Sequence, residues 1–276
     1  MKTKFQMRLL CSRREFNFTL LFTILLCMSI FILDCCTYFG KDISQVISAD
    51  QLFIGRATSK YSFIFRLLVP LVITIPFADS YFCERENNIL SIILIRHKNR
   101  TTFYYSKLIT VFFSAVSVVL IPQVLHQILL FFAFPTESII DYSNWSTDQS
   151  SYYSHNKQIL LEKIFVENPY LYNFIFSVSL SIILGFIAVL LFNISFFVKK
   201  TRLLILTLPI VVVNLLEIIS VPLLEMGLNI SIMDYLFSYD LSPGKQNKII
   251  ILIVAFIIIS NMILSLVIKK KLRDVI

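Results

Sequence analysis

Five residues with side chains able to do chemistry stand inside long apolar runs: Arg66, Gln123, His126, Asn214 and Glu217. Charged and strongly polar groups at membrane depth are costly, and they mark a functional site by default. Arg66 lies about five residues inside the outer end of its run, roughly 8 Å at helical rise. Glu217 lies about seven residues inside the outer end of its own run, roughly 10 Å deep. Gln123, His126 and the neighbouring Gln127 fall in the outer half of a third run. Asn214 and Glu217 are three residues apart and so share a helix face. The overlapping depths predict an outer-leaflet polar cluster with Arg66 and Glu217 as a candidate ion pair, facing a bound molecule. Two plainer readings compete. Arg66 can snorkel to the head groups, and the pair can serve only to hold two helices together.

Other chemistries find no residues to carry them. A phosphate-binding loop needs clustered glycines so that the backbone can wrap the phosphates. The five glycines, Gly40, Gly55, Gly185, Gly227 and Gly244, form no G-x-x-x-x-G-K-[ST]. There is no H-E-x-x-H and no G-x-S-x-G, and His97, His126 and His155 are scattered over different segments. Neither a catalytic nor a metal site is expected. Cys11, Cys27, Cys35, Cys36 and Cys83 lack paired spacing, and an odd count is no disulfide framework. Any ATP-driven work must come from another chain, so no cofactor is expected on this one.

The elements that position these residues follow from composition. Apolar residues make up 57% of the chain and charged residues 15%, against about a quarter in soluble domains. A soluble chain would still need a charged surface. The charges instead cluster between apolar runs, so lipid is the solvent for the rest and the fold class is all-α. A run of about 20 residues crosses a hydrocarbon core of about 30 Å as a helix. Six candidates appear, at residues 16–33, 61–77, 108–134, 171–198, 203–224 and 249–268, in a single transmembrane domain over 1–276. Basic residues precede the first run as in a signal peptide, but no small-x-small cleavage site follows, so it reads as a retained span. Prolines 70, 76, 122, 209 and 222 lie in the runs, and neighbouring groups can satisfy the carbonyls they free. The net charge of +8 is topological rather than a nucleic-acid footprint, because the basic residues flank the runs. Of the 25 Lys and Arg residues, seventeen fall on the side of the N-terminus, seven on the other side and one, Arg66, within a run. The excess places both termini in the cytoplasm.

The connection between the second and third runs, Asp79 to Arg100, begins acidic, continues as the short apolar stretch Ile89–Ile95 and ends basic. That order suits a helix dipole. The stretch is too short to cross, so a helix lying along the membrane surface is predicted, either a docking element or a plain connector. Together with Pro70 and Pro76, the turn-like Glu84-Arg85-Glu86-Asn87-Asn88, the basic stop at residues 96–100 and Tyr104-Tyr105-Ser106-Lys107, this segment resembles the membrane permeases of ABC exporters of the type-two family. The basic amphipathic start, the six runs and the tail fit the same layout. Where that family often has glycine at the turn, this chain has Asn88, a residue that tolerates the left-handed region.

The resemblance implies that the segment is a coupling helix seated in a separate ABC ATPase subunit. Glu84, Glu86, Ile89, Leu90, Ile92 and Ile93 become its contact candidates, and Met1–Glu15 a connecting helix along the membrane. It implies a permease subunit of an ATP-driven exporter in a bacterial cell membrane, with ATP and Mg on the partner ATPase. It further implies a homodimer, or a heterodimer with a similar permease. The substrate could be a peptide, drug or lipid, and the Phe-rich runs favour an apolar or amphipathic one. A non-transporting immunity or sensory subunit would share this layout. A secondary transporter would show inverted repeats, and none is visible.

Overall fold

The computed structural model describes Gln6, Arg8, residues 10–56, Ser59, residues 61–86, 100–136, Leu161, Ile164, and residues 167–198, 202–224, 230–237 and 247–274. These residues are helical or irregular, and none of them lies in a β-strand. In chain order the α-helices are α1 (Arg14–Tyr38), α2 (Ser62–Val72), α3 (Ser80–Glu86), α4 (Arg100–Ala133), α5 (Pro169–Ser195), α6 (Arg202–Leu224), α7 (Ile232–Leu236) and α8 (Asn247–Asp274). A 3-10 turn at Ile43–Gln45 follows α1.

Five of these, α1, α4, α5, α6 and α8, are long and apolar enough to cross a membrane. The sequence predicts a sixth crossing at 61–77. There the chain is α-helical only in α2, whose 11 residues rise about 16 Å. After Val72 the backbone continues in single turns. Thr74 N donates to Leu71 O, Ala78 N to Thr74 O and Ser80 N to Phe77 O, mixing three- and four-residue spacings. Pro70 and Pro76 each lack the amide proton that a continuous helix needs. The predicted apolar helix over 89–95 lies outside the described residues. Before α1, Gln6, Arg8 and residues 10–12 are helical, with Gln6 and Leu10 buried and Arg8, Cys11 and Ser12 exposed. Arg13, extended at φ −75°, ψ 125°, separates that stretch from α1.

Helix ends follow local rules. Asn168 caps α5, its Oδ1 accepting from Leu171 N at 3.0 Å, with Pro169 in the first turn. Beyond α1 the chain leaves through Gly40 at φ +74°, a conformation that glycine adopts without strain. α4 begins eight residues before the predicted run, because Arg100–Lys107 prolongs the helix beyond its apolar part. Pro122 inside it leaves the Val118 carbonyl without its intrahelical donor. Thr23 Oγ1 on α1 donates to that oxygen at 3.3 Å, the compensation expected of a neighbouring helix in lipid.

α4 is the centre of the bundle, packed along α5 and α1, and α8 packs on α5. Small residues make this possible. Ser177, Ser181 and Gly185 recur every fourth position on α5, buried or closely approached, and small residues let helix backbones approach in membranes. A Cβ on Gly185 would sit 2.8 Å from the Phe112 ring of α4. The serine hydroxyls donate back to their own helix, Ser177 to Asn173 O at 2.9 Å and Ser181 to Ser177 O at 2.7 Å. α6 is arranged differently, with its main partner α2 and lesser contacts to α5 and α7. Val211, Leu215, Ile218 and Val221 on α6 and Ile251, Leu252, Phe256 and Ile263 on α8 remain exposed, as lipid-facing or partner-facing surfaces do.

Candidate functional site

At the end of the bundle that holds the starts of α1, α4 and α6, one carboxylate gathers three elements. Asp79, immediately before α3, is fully buried. Arg13 Nη2 lies 3.3 Å from its Oδ1, and Arg202 Nε, on the first residue of α6, lies 2.6 Å from its Oδ2. The Cys83 thiol donates to the same Oδ2 at 3.5 Å. Burial, and next the Asp79 carboxylate, push the Cys83 thiol up from its ordinary pKa, so the protonated donor persists at neutral pH. Arg13 also pairs with Glu15 at 3.2 Å and stacks 5.1 Å over the Phe77 ring.

α3 itself is fastened to the central helices. Lys107, buried on α4, pairs with Glu84 between the rings of Phe77 and Phe103. The Arg85 guanidinium donates to Val198 O beyond the end of α5. Tyr81 stacks on Phe196 with ring centroids 3.5 Å apart. Of the residues that resemblance marks for an ATPase, Glu84 is thus engaged within the chain and Glu86 is exposed. Ile89, Leu90, Ile92 and Ile93 lie outside the described residues.

At the opposite end the structure brings Arg66 and Glu217 together, Nη2 to Oε1 at 2.9 Å, joining α2 to α6. Arg66 also donates to Ser231 Oγ at 3.5 Å and stacks 5.7 Å from the Phe237 ring, so the segment around α7 closes over it. Glu217 keeps 35% of its side chain exposed, against 14% for Arg66. Asn214 is half-buried one turn away on α6. The expected single cluster divides here. Gln123 and His126 are fully buried on α4, with no side-chain hydrogen bond to any described residue, and Phe53 stands 6.3 Å from the His126 ring. Gln127 turns to α5 and donates to Tyr170 O at 2.9 Å.

Two polar features escape the sequence reading. Residues 48–56 are buried except for the half-buried Gln51, with Asp50 paired to Arg56, Asn173 Nδ2 donating to Asp50 O at 2.9 Å and Ala49 N donating to Pro135 O at 3.0 Å. The signal was there in opposite charges six residues apart around an apolar Leu52-Phe53-Ile54. Near the Asp79 end, Tyr104 Oη donates to Asn193 Oδ1 at 2.6 Å, and Asn193 Nδ2 donates to Asn261 Oδ1 at 3.1 Å, linking α4, α5 and α8. Asn193 and Asn261 sit in apolar runs, and the depth rule that selects Arg66 and Glu217 would have found them too.

A family model described as ABC-2 family transporter protein matches residues 10–153, 144 of the 276 residues. The chain belongs to that family. No curated protein and no solved structure matches it. The match runs from the stretch before α1 through Asp79, α3 and the whole of α4. An ABC-2 transporter chain with five helices of spanning length is a multi-pass membrane protein and a permease-type subunit of a transport system. The buried ion cluster at Asp79 and the Arg66–Glu217 pair are therefore features of a permease, at its two ends.

Proposed function

We propose that the chain is the permease half of an ATP-driven exporter, working with a separate ABC ATPase that binds ATP and Mg. What carries this reading is the family match across 10–153, the part of the chain that holds the segment from Asp79 to Arg100. The chain crosses the membrane six times, with residues 61–77 serving as the second crossing, and both ends are cytoplasmic. The seventeen-to-seven division of basic residues supports that orientation. So does the gathering of Arg13, Asp79, Lys107 and Arg202 at one end. The Ile89–Ile95 stretch is the coupling helix and Glu86 its exposed acidic contact.

Two copies, or one copy and a similar permease, enclose the route. The α2–α6 face carries it, because a partly exposed carboxylate such as Glu217 is unfavourable against hydrocarbon and requires water or protein beside it. The transported molecule is apolar or amphipathic, met by the exposed aliphatic residues of α6. Nucleotide-driven closure of the ATPases tilts the coupling helices and shifts the pathway between inward-open and outward-open forms. The test is purification in mild detergent from cells that encode the chain in its native neighbourhood. An ATPase subunit should copurify, and its hydrolysis should fall when Ile92 and Ile93 are both changed to Asp. Recovery of the intact permease with no ATPase would refute the reading and favour an immunity or sensory role.

A further inference from the structure

Asp79 belongs to none of the roles assigned so far, yet its surroundings are the most constrained in the molecule. Its carboxylate is wholly buried, a costly placement unless the charge is matched. The matching charges come from residues 66 and 123 positions away in sequence, Arg13 and Arg202. Each stands at a mechanical junction. Arg13 is the extended residue between the helical N-terminal stretch and α1. Arg202 opens α6, the spanning helix with the least packing against the α4–α5 centre.

We infer that Asp79 is a positioning residue that passes the displacement of α3 to α1 and α6. The inference rests on the proposed coupling to an ATPase. α3 has two sets of attachments, and they differ in kind. Toward α4 and α5 it is held by Lys107 with Glu84, by Arg85 on Val198 O and by the Tyr81–Phe196 stack, which fix where it pivots. Toward α1 and α6, the ion pairs among the described residues run through the carboxylate of Asp79, the residue before α3. A force applied beyond Glu86 rocks α3 on the first set and moves Asp79, and the two arginines follow their counter-charge. Because Arg66 and Glu217 join α2 to the far part of α6, and α2 leads directly into Asp79, the motion reaches both ends of α6.

The test uses the full chain in lipid nanodiscs, alone and with its ATPase, with Cys27, Cys35 and Cys36 changed to Ala and Cys83 to Ser. One spin-label pair, on native Cys11 and Leu203→Cys, reads the tether. A second pair, on Phe39→Cys and Ile218→Cys, reads the far end of α6 and uses Cys11→Ser. In the permease alone, Asp79→Asn should broaden the 11–203 distance distribution. In the complex, ATP with vanadate should shift the 39–218 distance, and Asp79→Asn should cut the ratio of shifted to unshifted populations at least about fivefold, the scale of an ordinary coupling free energy. ATP hydrolysis should continue, so motion and hydrolysis separate, which a merely structural staple would not produce. Should Asp79→Asn fail to fold, Arg202→Gln, at a 43% exposed side chain, should show the same separation to a smaller degree. An unchanged shift in either variant, or equal loss of shift and hydrolysis in a folded protein, overturns the inference. If the unsubstituted chain binds no ATPase, the proposed function fails and the inference falls with it, whatever the 11–203 distribution shows.

Discussion

Reversing the charge at Arg66 or Glu217 tests whether the pair fixes α6 to α2. The Arg66 side chain is 14% exposed and that of Glu217 35% exposed, at 2.9 Å separation. Breaking a fully buried pair costs about 3–5 kcal/mol, because the remaining charge is stranded. A fully exposed pair contributes at most about 1 kcal/mol. With one partner mostly covered and the other partly wetted, a loss of about 2 kcal/mol is expected for either single reversal. For a chain of this size that is a fall of roughly 4 °C in the melting midpoint. Arg66→Glu loses more than Glu217→Arg, since it also removes the stacking on Phe237, an interaction of about 0.5–1 kcal/mol at an accessible site. The double reversal, Arg66→Glu with Glu217→Arg, recovers the ion pair but not that stacking, so it should regain more than half of the loss. The assay is size-exclusion chromatography of a fluorescent fusion after heating in mild detergent. A double variant as unstable as the sum of the two singles would show that the two charges act independently, and the tie between α2 and α6 would have to be sought elsewhere.

Three further outcomes follow from other sites. Gly185→Val should destabilise the fold by about 1–3 kcal/mol, as overpacking does, since even a Cβ there meets Phe112 at 2.8 Å; Phe112→Ala in the same chain should relieve most of the loss, and a neutral Gly185→Val would mean that α4 and α5 separate easily. Cys83 should react with maleimide more slowly than exposed Cys11 at pH 7, because a raised pKa keeps the thiol protonated and only the thiolate attacks; Asp79→Asn should speed it, and an unchanged rate would remove Asp79 as a cause. Gln123 and His126 present four buried polar atoms that no described residue satisfies, and such atoms in native interiors are almost always paired. Ordered water is therefore expected between them in a high-resolution map, and a dry site together with a higher melting midpoint for Gln123→Leu/His126→Leu would contradict this.

The long helices were legible because their signal is additive. Runs such as Leu171–Phe192 are apolar in the sum, and Asn173 with three serines does not reverse it. The second crossing was legible only as a hydropathy run, since Pro70 and Pro76 turn its latter half into separate turns that hydropathy does not register. Arg66 and Glu217 were visible as charges at matching depth, because helical rise converts position into depth directly. Depth says nothing about azimuth, which is why Gln123 and His126, at a similar level, belong to a different interface. Asp79 was visible only as the start of an acidic stretch. Its importance depends on Arg13 and Arg202 meeting it, and sequence spacing carries no information about such distant encounters.

The contacts sort the helices by how they are held. α4 and α5 meet through Gly185, where a Cβ would lie 2.8 Å from the Phe112 ring and 3.0 Å from Val116, so the two helices approach as closely as glycine allows. Close-packed interfaces resist continuous deformation. Among the described residues α6 adds to its packing an ion pair toward each end, Arg202 with Asp79 and Glu217 with Arg66, and in each pair one partner keeps a third or more of its side chain exposed. Such pairs act over longer distances and tolerate reorientation with water entering beside them. α2 and α3 lie on one continuous stretch between these two anchors. The proposed transport cycle uses this division: the closely packed α4–α5 core would stay, and α6 would keep its counter-charges while changing its tilt.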